Sequence, residues 1–160
     1  ARIYAHNFKS KRTISMCKTH LLELMHDPDE QVRAQVSECF AYLEPENLVQ
    51  LHAFIEAFLQ SPALVDGTMH FISYLKKITW DDPDLVLRAV SRLLDVVGNQ
   101  ILDLRTAHAM HEGDLAQLVL AVYNQSSDNE IKLRAMDLFE RLLLMGSGAA
   151  QRALTEWDRK

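Results

Sequence analysis

Hydrophobic residues recur along this chain at intervals of three and four positions, which is the spacing of amphipathic α-helices. Turn and helix-breaking residues separate the periodic segments at Glu44-Pro45, Ser61-Pro62, Trp80-Asp81 and Gly146 to Gly148. No segment shows the strict alternation of a β-strand. The pattern therefore predicts an all-α protein of about eight helices.

Eight apolar stripes mark the predicted helices. In chain order they are Ile14, Cys17, Leu21 and Leu24; Val32, Val36, Cys39 and Leu43; Leu48, Leu51, Ile55, Phe58 and Leu59; Leu64, Thr68, Ile72, Leu75 and Ile78; Val86, Val90, Leu93 and Val97; Leu115, Leu118, Val119 and Val122; Ile131, Ala135, Leu138, Leu142 and Met145; and Ala150, Ala153, Leu154 and Trp157. Gly67 weakens the start of the fourth helix, and Gly98-Asn99 is expected to end the fifth. Residues 100–113 lack a strong period and are predicted to form a long connection with a short helix, after which Asp114 caps the sixth main helix.

One eight-residue motif occurs three times, as DPDEQVRA at 27–34, DPDLVLRA at 82–89 and, more loosely, DNEIKLRA at 128–135. Its first Asp is predicted to cap a helix, and the proline fits the first helical turn. The arginines, at positions 33, 88 and 134, are 55 and 46 residues apart. HEAT and armadillo repeats have periods of about 40–47 residues. The motif resembles the HEAT repeat family.

This resemblance implies a HEAT/armadillo-like α-solenoid over residues 1–160, one domain with repeat motifs starting near 27, 82 and 128. In a HEAT-like stack, the expected role of Arg33, Arg88 and Arg134 is to pair with acidic residues near the adjacent repeat's turn, which holds the repeats in register. The alternative is an arginine ladder on one surface that binds acidic groups.

A narrower resemblance lies in the second half of the chain. The segments DLRTA at 103–107, DLAQLVL at 114–120, RAMDLFERLL at 134–143 and ALTEWDR at 153–159 are similar to the C-terminal helical region of large bacterial P-loop ATP-binding proteins. Some relatives act as sensors in defence against phage. The resemblance implies a P-loop module upstream, and the missing initiator Met also leads us to expect a fragment of a longer protein. The nucleotide motif is absent from this sequence, so the sensor or scaffold part is expected here.

Composition narrows the function classes. The 160 residues are 48% apolar and carry a formal net charge of −5, which argues against a dedicated nucleic-acid binder, because such proteins usually present a basic surface. The sequence has no secretory pattern and no apolar run of about 18 residues, so neither a signal peptide nor a membrane span is predicted. Cys17 and Cys39 lack CxxC spacing and are expected to be free thiols of a cytoplasmic protein.

Two histidines, His108 and His111, lie three residues apart beside Glu112 and could share one helical face. The zinc protease signature is His-Glu-x-x-His, and this chain has a different order with no obvious third ligand. The sequence also lacks a Gly-x-Ser-x-Gly elbow and a Gly-x-x-x-x-Gly-Lys loop. We therefore predict no catalytic residue, no metal site and no cofactor, and a protein that is not an enzyme.

The predicted function is that of a protein-binding or sensor scaffold segment of a larger cytoplasmic bacterial protein. The aromatic residues expected in or beside the core are Phe54, Phe58, Phe71, Tyr74, Tyr123, Phe139 and Trp157. The candidate contact residues are Trp80, Arg105, His108 and His111, because the turn and the irregular 100–113 segment lie outside the apolar stripes. The expected partner is another protein or the rest of a longer chain. The alternatives are a HEAT-like DNA glycosylase or other nucleic-acid-binding enzyme, and a structural spacer.

Overall fold

The computed structural model of the chain describes residues 3–4, 11–102 and 112–157. Within these residues all regular structure is helical, with nine α-helices and no β-strand. This confirms the predicted all-α class, whereas the HEAT-like solenoid stays a prediction. The chain divides into two compact units, Ala1–Lys77 and Ile78–Lys160. Among the described residues, no helix combines the length and the apolar character needed to cross a membrane.

The described part of the first unit contains five α-helices and two 3-10 helices. In chain order they are α1 (Lys11–Leu24), α2 (Glu30–Val36), the 3-10 helices Ser37–Tyr42 and Pro45–Asn47, α3 (Leu48–Gln60), α4 (Ala63–Asp66) and α5 (Thr68–Lys77). The predicted stripe of α3 is buried along its whole length. Leu24, the last residue of α1, is only half-buried, whereas Met25 directly after the helix is fully buried. Both Cys17 and Cys39 are buried free thiols, and burial raises the pKa of Cys39 well above its ordinary value.

An aromatic cluster forms the centre of the first unit. The ring centroid of Phe40 lies 4.7 Å from that of Phe58 and 4.9 Å from that of Phe71, both edge to face. Phe54 and Tyr74 lie 5.9 and 5.6 Å from Phe40. All five side chains are fully buried, and such aromatic pairs each add about 0.5–1.5 kcal/mol beyond the area that they bury. The apolar pattern predicts the other four rings in the core but not the central Phe40, which lies between the predicted stripe positions.

The predicted fourth helix is divided at Gly67 into α4 and α5. Gly67 is also a point of close packing, since a Cβ atom at position 67 would lie 2.2 Å from Cβ of the buried Ser37. Ser37 in turn begins the 3-10 helix that follows α2, and its Oγ donates a hydrogen bond to the carbonyl of Ala34 at 2.7 Å. Such bonding by a serine competes with the α-helical pattern. The predicted second helix is therefore part α and part 3-10.

The first motif copy begins its helix later than predicted. Asp29, not Asp27, is the residue before α2, and its carboxylate accepts the amide hydrogen of Gln31 at 2.8 Å. Asp27 instead accepts the amide hydrogen of Asp29 at 2.9 Å. The Asp27 carboxylate is thus used one step upstream of the helix, in the turn.

The described part of the second unit contains α6 (Pro83–Leu102), α7 (Glu112–Gln125), α8 (Asn129–Leu144) and α9 (Gly148–Trp157). The predicted end of α6 at Gly98-Asn99 is wrong, because the helix continues to Leu102. Gly98 instead permits close packing, since a Cβ atom there would lie 2.6 Å from Cε of Met145. The predicted capping role of Asp114 is also wrong, because α7 begins at Glu112 and places Asp114 within its first turn.

The turn between α8 and α9 matches the predicted break. Gly146 has a φ of +85°, which glycine adopts without steric cost. The amide of Ser147 donates to the carbonyl of Leu142 at 3.0 Å, as in a Schellman motif. The hydroxyl of Ser147 accepts the amide hydrogen of Ala150 and donates to the carboxylate of Glu112 at 2.5 Å. This hydrogen bond joins the start of α7 to the start of α9.

Candidate partner-binding surface

Trp80 lies in the turn that precedes α6, and 72% of its surface is exposed. The carbonyl of Ile78 accepts the amide hydrogens of Asp81 and Asp82, both at 3.0 Å. The carboxylate of Asp82 then accepts the amide hydrogen of Leu85 at 2.9 Å, which caps α6 as predicted. These bonds fix the backbone of the turn, so the indole is presented to solvent from an ordered support.

The other three predicted contact residues, Arg105, His108 and His111, lie outside the described residues. Their neighbour Glu112 is described, and its carboxylate accepts hydrogen bonds from the Ser147 hydroxyl and from the Ala149 amide at 3.0 Å. One acidic group of the considered metal site is therefore already bonded at the N-terminus of α9. In the described ranges, no group of three or more His, Cys, Asp or Glu side chains could hold a metal ion.

The first motif arginine, Arg33, reaches across its unit to Asp66 in α4. Its Nε donates to the Asp66 carboxylate at 2.6 Å, and its Nη1 donates to the carbonyls of Asp27 and Pro28 at 2.7 and 3.1 Å. The hydrogen bond with Asp66 raises the pKa of Arg33 above its ordinary value. The guanidinium thus joins the turn before α2 to the C-terminal end of α4, and the pattern of the sequence did not indicate Asp66 as its partner.

The second and third motif arginines converge on one carboxylate. Arg88 donates from Nε to Asp84 at 2.9 Å, one turn earlier in α6, and Arg134 of α8 donates from Nη1 to the other oxygen of Asp84. The pKa of Asp84 is lowered, first by the hydrogen bond from Arg134 and also by the one from Arg88. Two copies of the motif are therefore in direct contact through this aspartate, and the role of these arginines in holding repeat register stays a prediction.

A groove of about 250 Å³ lies beside this ion pair, between α6 and α8. Its lining residues are Leu87, Arg88, Ser91, Arg134, Asp137 and Leu138. The positive charge of Arg88 and Arg134 is offset by Asp84 and by Asp137. The groove therefore offers little net charge to an acidic ligand, which weakens the alternative that the arginines form an anion-binding ladder.

The outer face of α8 carries exposed apolar side chains that lie outside its predicted apolar stripe. Leu133, Met136 and Leu144 are 66%, 38% and 81% exposed. Met136 and Leu144 lie three and eleven residues after Leu133, and this spacing places all three side chains on one side of the helix. A search for a second apolar stripe on α8 would have identified them in the sequence.

Comparison with known proteins provides no further assignment. No family model matches the sequence, and neither a curated protein nor a solved structure matches it significantly. The candidate surface is therefore defined by its own geometry, an exposed tryptophan on an ordered turn and exposed apolar positions on α8.

Proposed function

We propose that this chain is a protein-binding or sensor scaffold segment of a larger cytoplasmic bacterial protein, and that it recognises a partner on a helical-repeat surface without catalysing a reaction. The observation that carries the proposal is the 72% exposure of Trp80. Tryptophan is enriched among the residues that contribute most to protein–protein binding, because it buries a large, rigid surface at a small cost in conformational entropy. An indole held outward by a hydrogen-bonded turn is preorganised for such contact.

Two observations support the HEAT-like repeat arrangement within this proposal. In each motif copy an aspartate carboxylate accepts a hydrogen bond from a backbone amide at the start of a helix. The acceptors are Asp29, Asp82 and Asp128, at 2.8, 2.9 and 2.8 Å. The second and third copies also meet through the contact between Asp84 and Arg134. A contact between consecutive copies is the feature by which solenoids are built, because each repeat packs mainly on its neighbours.

The identity of the parent protein rests on the sequence resemblance described above. We propose a P-loop ATP-binding protein with a role in antiviral defence, in which this helical segment senses or holds a partner. A nucleic-acid-binding enzyme is disfavoured by the net charge of −5. A structural spacer, whose partner is the rest of its own chain, is the alternative that the following experiment separates.

The experiment uses residues 1–160 as bait in bacterial lysates, with and without phage infection, and identifies retained proteins by mass spectrometry. The Trp80→Ala variant is compared with Val49→Ala, which alters an exposed apolar residue (89%) of the first unit. We expect a saturable partner whose affinity falls about thirtyfold with W80A, as a loss of roughly 2 kcal/mol at a binding hot spot implies. V49A should change this affinity less than twofold.

A spacer would give a different result. The bait would then unfold cooperatively and show a helical circular-dichroism spectrum, yet retain nothing beyond background under either condition. Retention that W80A and V49A reduce equally would also contradict the proposed contact, since a specific surface requires the two variants to differ.

A further inference from the structure

Helix α8 has two apolar faces, and one of them is covered. The covered face holds Ala135, Phe139 and Leu142, which are buried within the second unit. With 3.6 residues per turn, Leu133 and Leu144 lie on the opposite side of the helix. A helix that is apolar on two sides usually has neighbours on both. Single exposed apolar residues are common on protein surfaces, but three on one helix face are less so.

The uncovered face, which we call the α8 stripe, also carries exposed carboxylates. The α8 stripe consists of Glu130, Leu133, Met136, Asp137, Glu140 and Leu144, all of which are exposed. At about 100° per residue these six positions fall within about 60° of Leu133. In the described part of the chain, no ion pair involves any of its three carboxylates. The stripe therefore combines apolar area with three carboxylates, of which Glu130 and Glu140 lie outside the groove between α6 and α8, while Asp137 lies near the edge of the stripe and also lines that groove with Arg88 and Arg134.

The cations of α8 lie beside the stripe and are engaged within the second unit. Arg134 is bonded to Asp84, and Arg141 donates to the carboxylate of Asp95 at 2.7 Å. On the other side, Nζ of Lys132 lies 5.7 Å from the ring centroid of Tyr123. Each cation of α8 thus has a partner within the second unit, and the stripe itself carries only carboxylates as charged groups.

We propose that the α8 stripe docks a basic amphipathic helix of a separate partner protein. Such a helix would place apolar residues at helical spacing against Leu133, Met136 and Leu144, with lysines or arginines beside Glu130, Asp137 and Glu140. Charge complementarity selects this occupant, because an acidic or a wholly apolar helix would leave the carboxylates repelled or desolvated without partners. The inference rests on the proposed function, for which it names a surface and a partner class distinct from Trp80.

The acid at the third motif position shows how a carboxylate of the α8 stripe could bind an arginine. Glu130 is the third residue of its motif copy, as Asp84 is of the preceding copy. Asp84 already accepts a hydrogen bond from the guanidinium of Arg134, on the helix packed beside α6. A partner arginine near Glu130 would repeat that type of contact on the outer side of α8.

The test measures binding of fluorescently labelled synthetic peptides to residues 1–160 by anisotropy. The probe is an 18-residue (about five turns) helix-stabilised peptide with leucines on one face and lysines and arginines flanking them. One control peptide replaces every basic residue with glutamate, and the second scrambles the probe to remove its helical period. We expect the basic amphipathic peptide to bind at least about tenfold more tightly than either control, and its affinity to fall with added salt.

Two pairs of variants locate the binding surface. L133S/L144S should weaken binding at least about tenfold, because it removes the exposed leucines. The double control M16S/V49S changes two exposed apolar residues of the first unit (74% and 89%) and should have less than a twofold effect. D137K/E140K should weaken binding by a similar factor, whereas E23K/E46K, which changes the net charge equally on exposed positions of the first unit, should not.

The results separate this inference from the proposed function. Equal binding of basic and acidic peptides, or wild-type affinity of both stripe variants, overturns the inference even where Trp80-dependent capture of a partner succeeds. Stripe-dependent peptide binding supports it even where W80A has no effect on capture, which would overturn the Trp80 contact instead. If light scattering shows a dimer that L133S/L144S makes monomeric, a second copy covers the stripe and the proposal fails. Should L133S/L144S lose its helical spectrum, D137K/E140K alone decides the question.

Discussion

The guanidinium of Arg134 donates to the carboxylate of Asp84, 50 residues earlier in the chain. Both residues belong to copies of one sequence motif, and the contact joins α8 to α6 within the second unit. Arg88 donates to the same carboxylate from its own helix. Asp84 therefore holds two cations at once, and its removal would leave both without this acceptor.

Substitution of this shared acceptor should lower stability. We expect Asp84→Asn to reduce the free energy of unfolding by about 1 kcal/mol, a modest value because the three side chains are about 36–45% exposed and water screens the pairs. Urea unfolding followed by circular dichroism measures the change. Glu140→Gln, which changes an exposed acid on α8 outside the groove, is the matched control and should change stability by less than about 0.5 kcal/mol. Equal effects of the two variants would show that the ion pairs contribute nothing specific.

The same contacts predict a pH dependence. Since the pKa of Asp84 is lowered in the folded protein, its contribution to stability is fully present above the unfolded-state pKa of about 3.9 and is lost as the pH falls through the lower folded-state pKa. An NMR titration of the Asp84 carboxyl carbon should give a midpoint below about 3.9. Arg134→Leu should move that midpoint upward more than Arg88→Leu, because the hydrogen bond from Arg134 is the larger cause. An unchanged midpoint in R134L would contradict this account.

Close packing at Gly67 predicts that the usual benefit of replacing glycine in a helical region is reversed there. Gly67→Ala would place a methyl group 2.2 Å from Cβ of Ser37, and the required shift should cost about 1–3 kcal/mol. Gly113→Ala in α7 is the matched control, since a Cβ there meets nothing within 4 Å, and it should stabilise by about 0.5–1 kcal/mol. Thermal and urea unfolding measure both variants.

The expected clash between a side chain at position 67 and Ser37 can also be tested by removing the Ser37 side chain. Ser37→Gly removes the atoms that the new methyl group would meet, so the double variant with G67A should lose less stability than the two single changes added together. Strict additivity would mean that Ser37 is not the obstacle.

The left-handed residue between α8 and α9 gives a further prediction. Gly146 has a φ of +85°, so Gly146→Ala should lower the free energy of unfolding by about 1–2 kcal/mol, and Gly146→Asn by less, because asparagine tolerates this region better. Urea midpoints for the pair check the order. A larger loss in the asparagine variant would contradict a conformational cause.

Much of the fold follows from the local sequence pattern. The sequence-based predictions of where a helix ends are wrong at positions that contact residues distant in the chain. The stripe of α3 is buried as predicted because helical periodicity depends only on neighbouring positions. Gly67 packs against Ser37, thirty positions earlier, and α6 continues through Gly98, where a Cβ atom would meet Met145. A glycine is a helix terminator or a contact point according to what lies against it, and that information is not local.

The candidate site shows the same limit. Trp80 could be selected from the sequence because it falls in a turn between two periodic segments, and the structure describes it as exposed. The sharing of Asp84 by two arginines could not be predicted from the sequence, because it requires α8 to pack beside α6. The α8 stripe lies between these cases: Leu133 and Leu144 have visible helical spacing, but only burial distinguishes their face from the one that contains Phe139.

The three motif copies use their third residue in three ways. Asp29 caps its own helix, Asp84 accepts a hydrogen bond from the arginine of the following copy, and Glu130 lies exposed on α8. The copies are therefore not interchangeable modules. The inter-helix pair of the second copy needs an arginine from another copy, whereas the acid of the first copy is committed to capping its own helix. A graft of residues 82–89 alone would therefore transfer the acid of this ion pair without the arginine that joins it to α8.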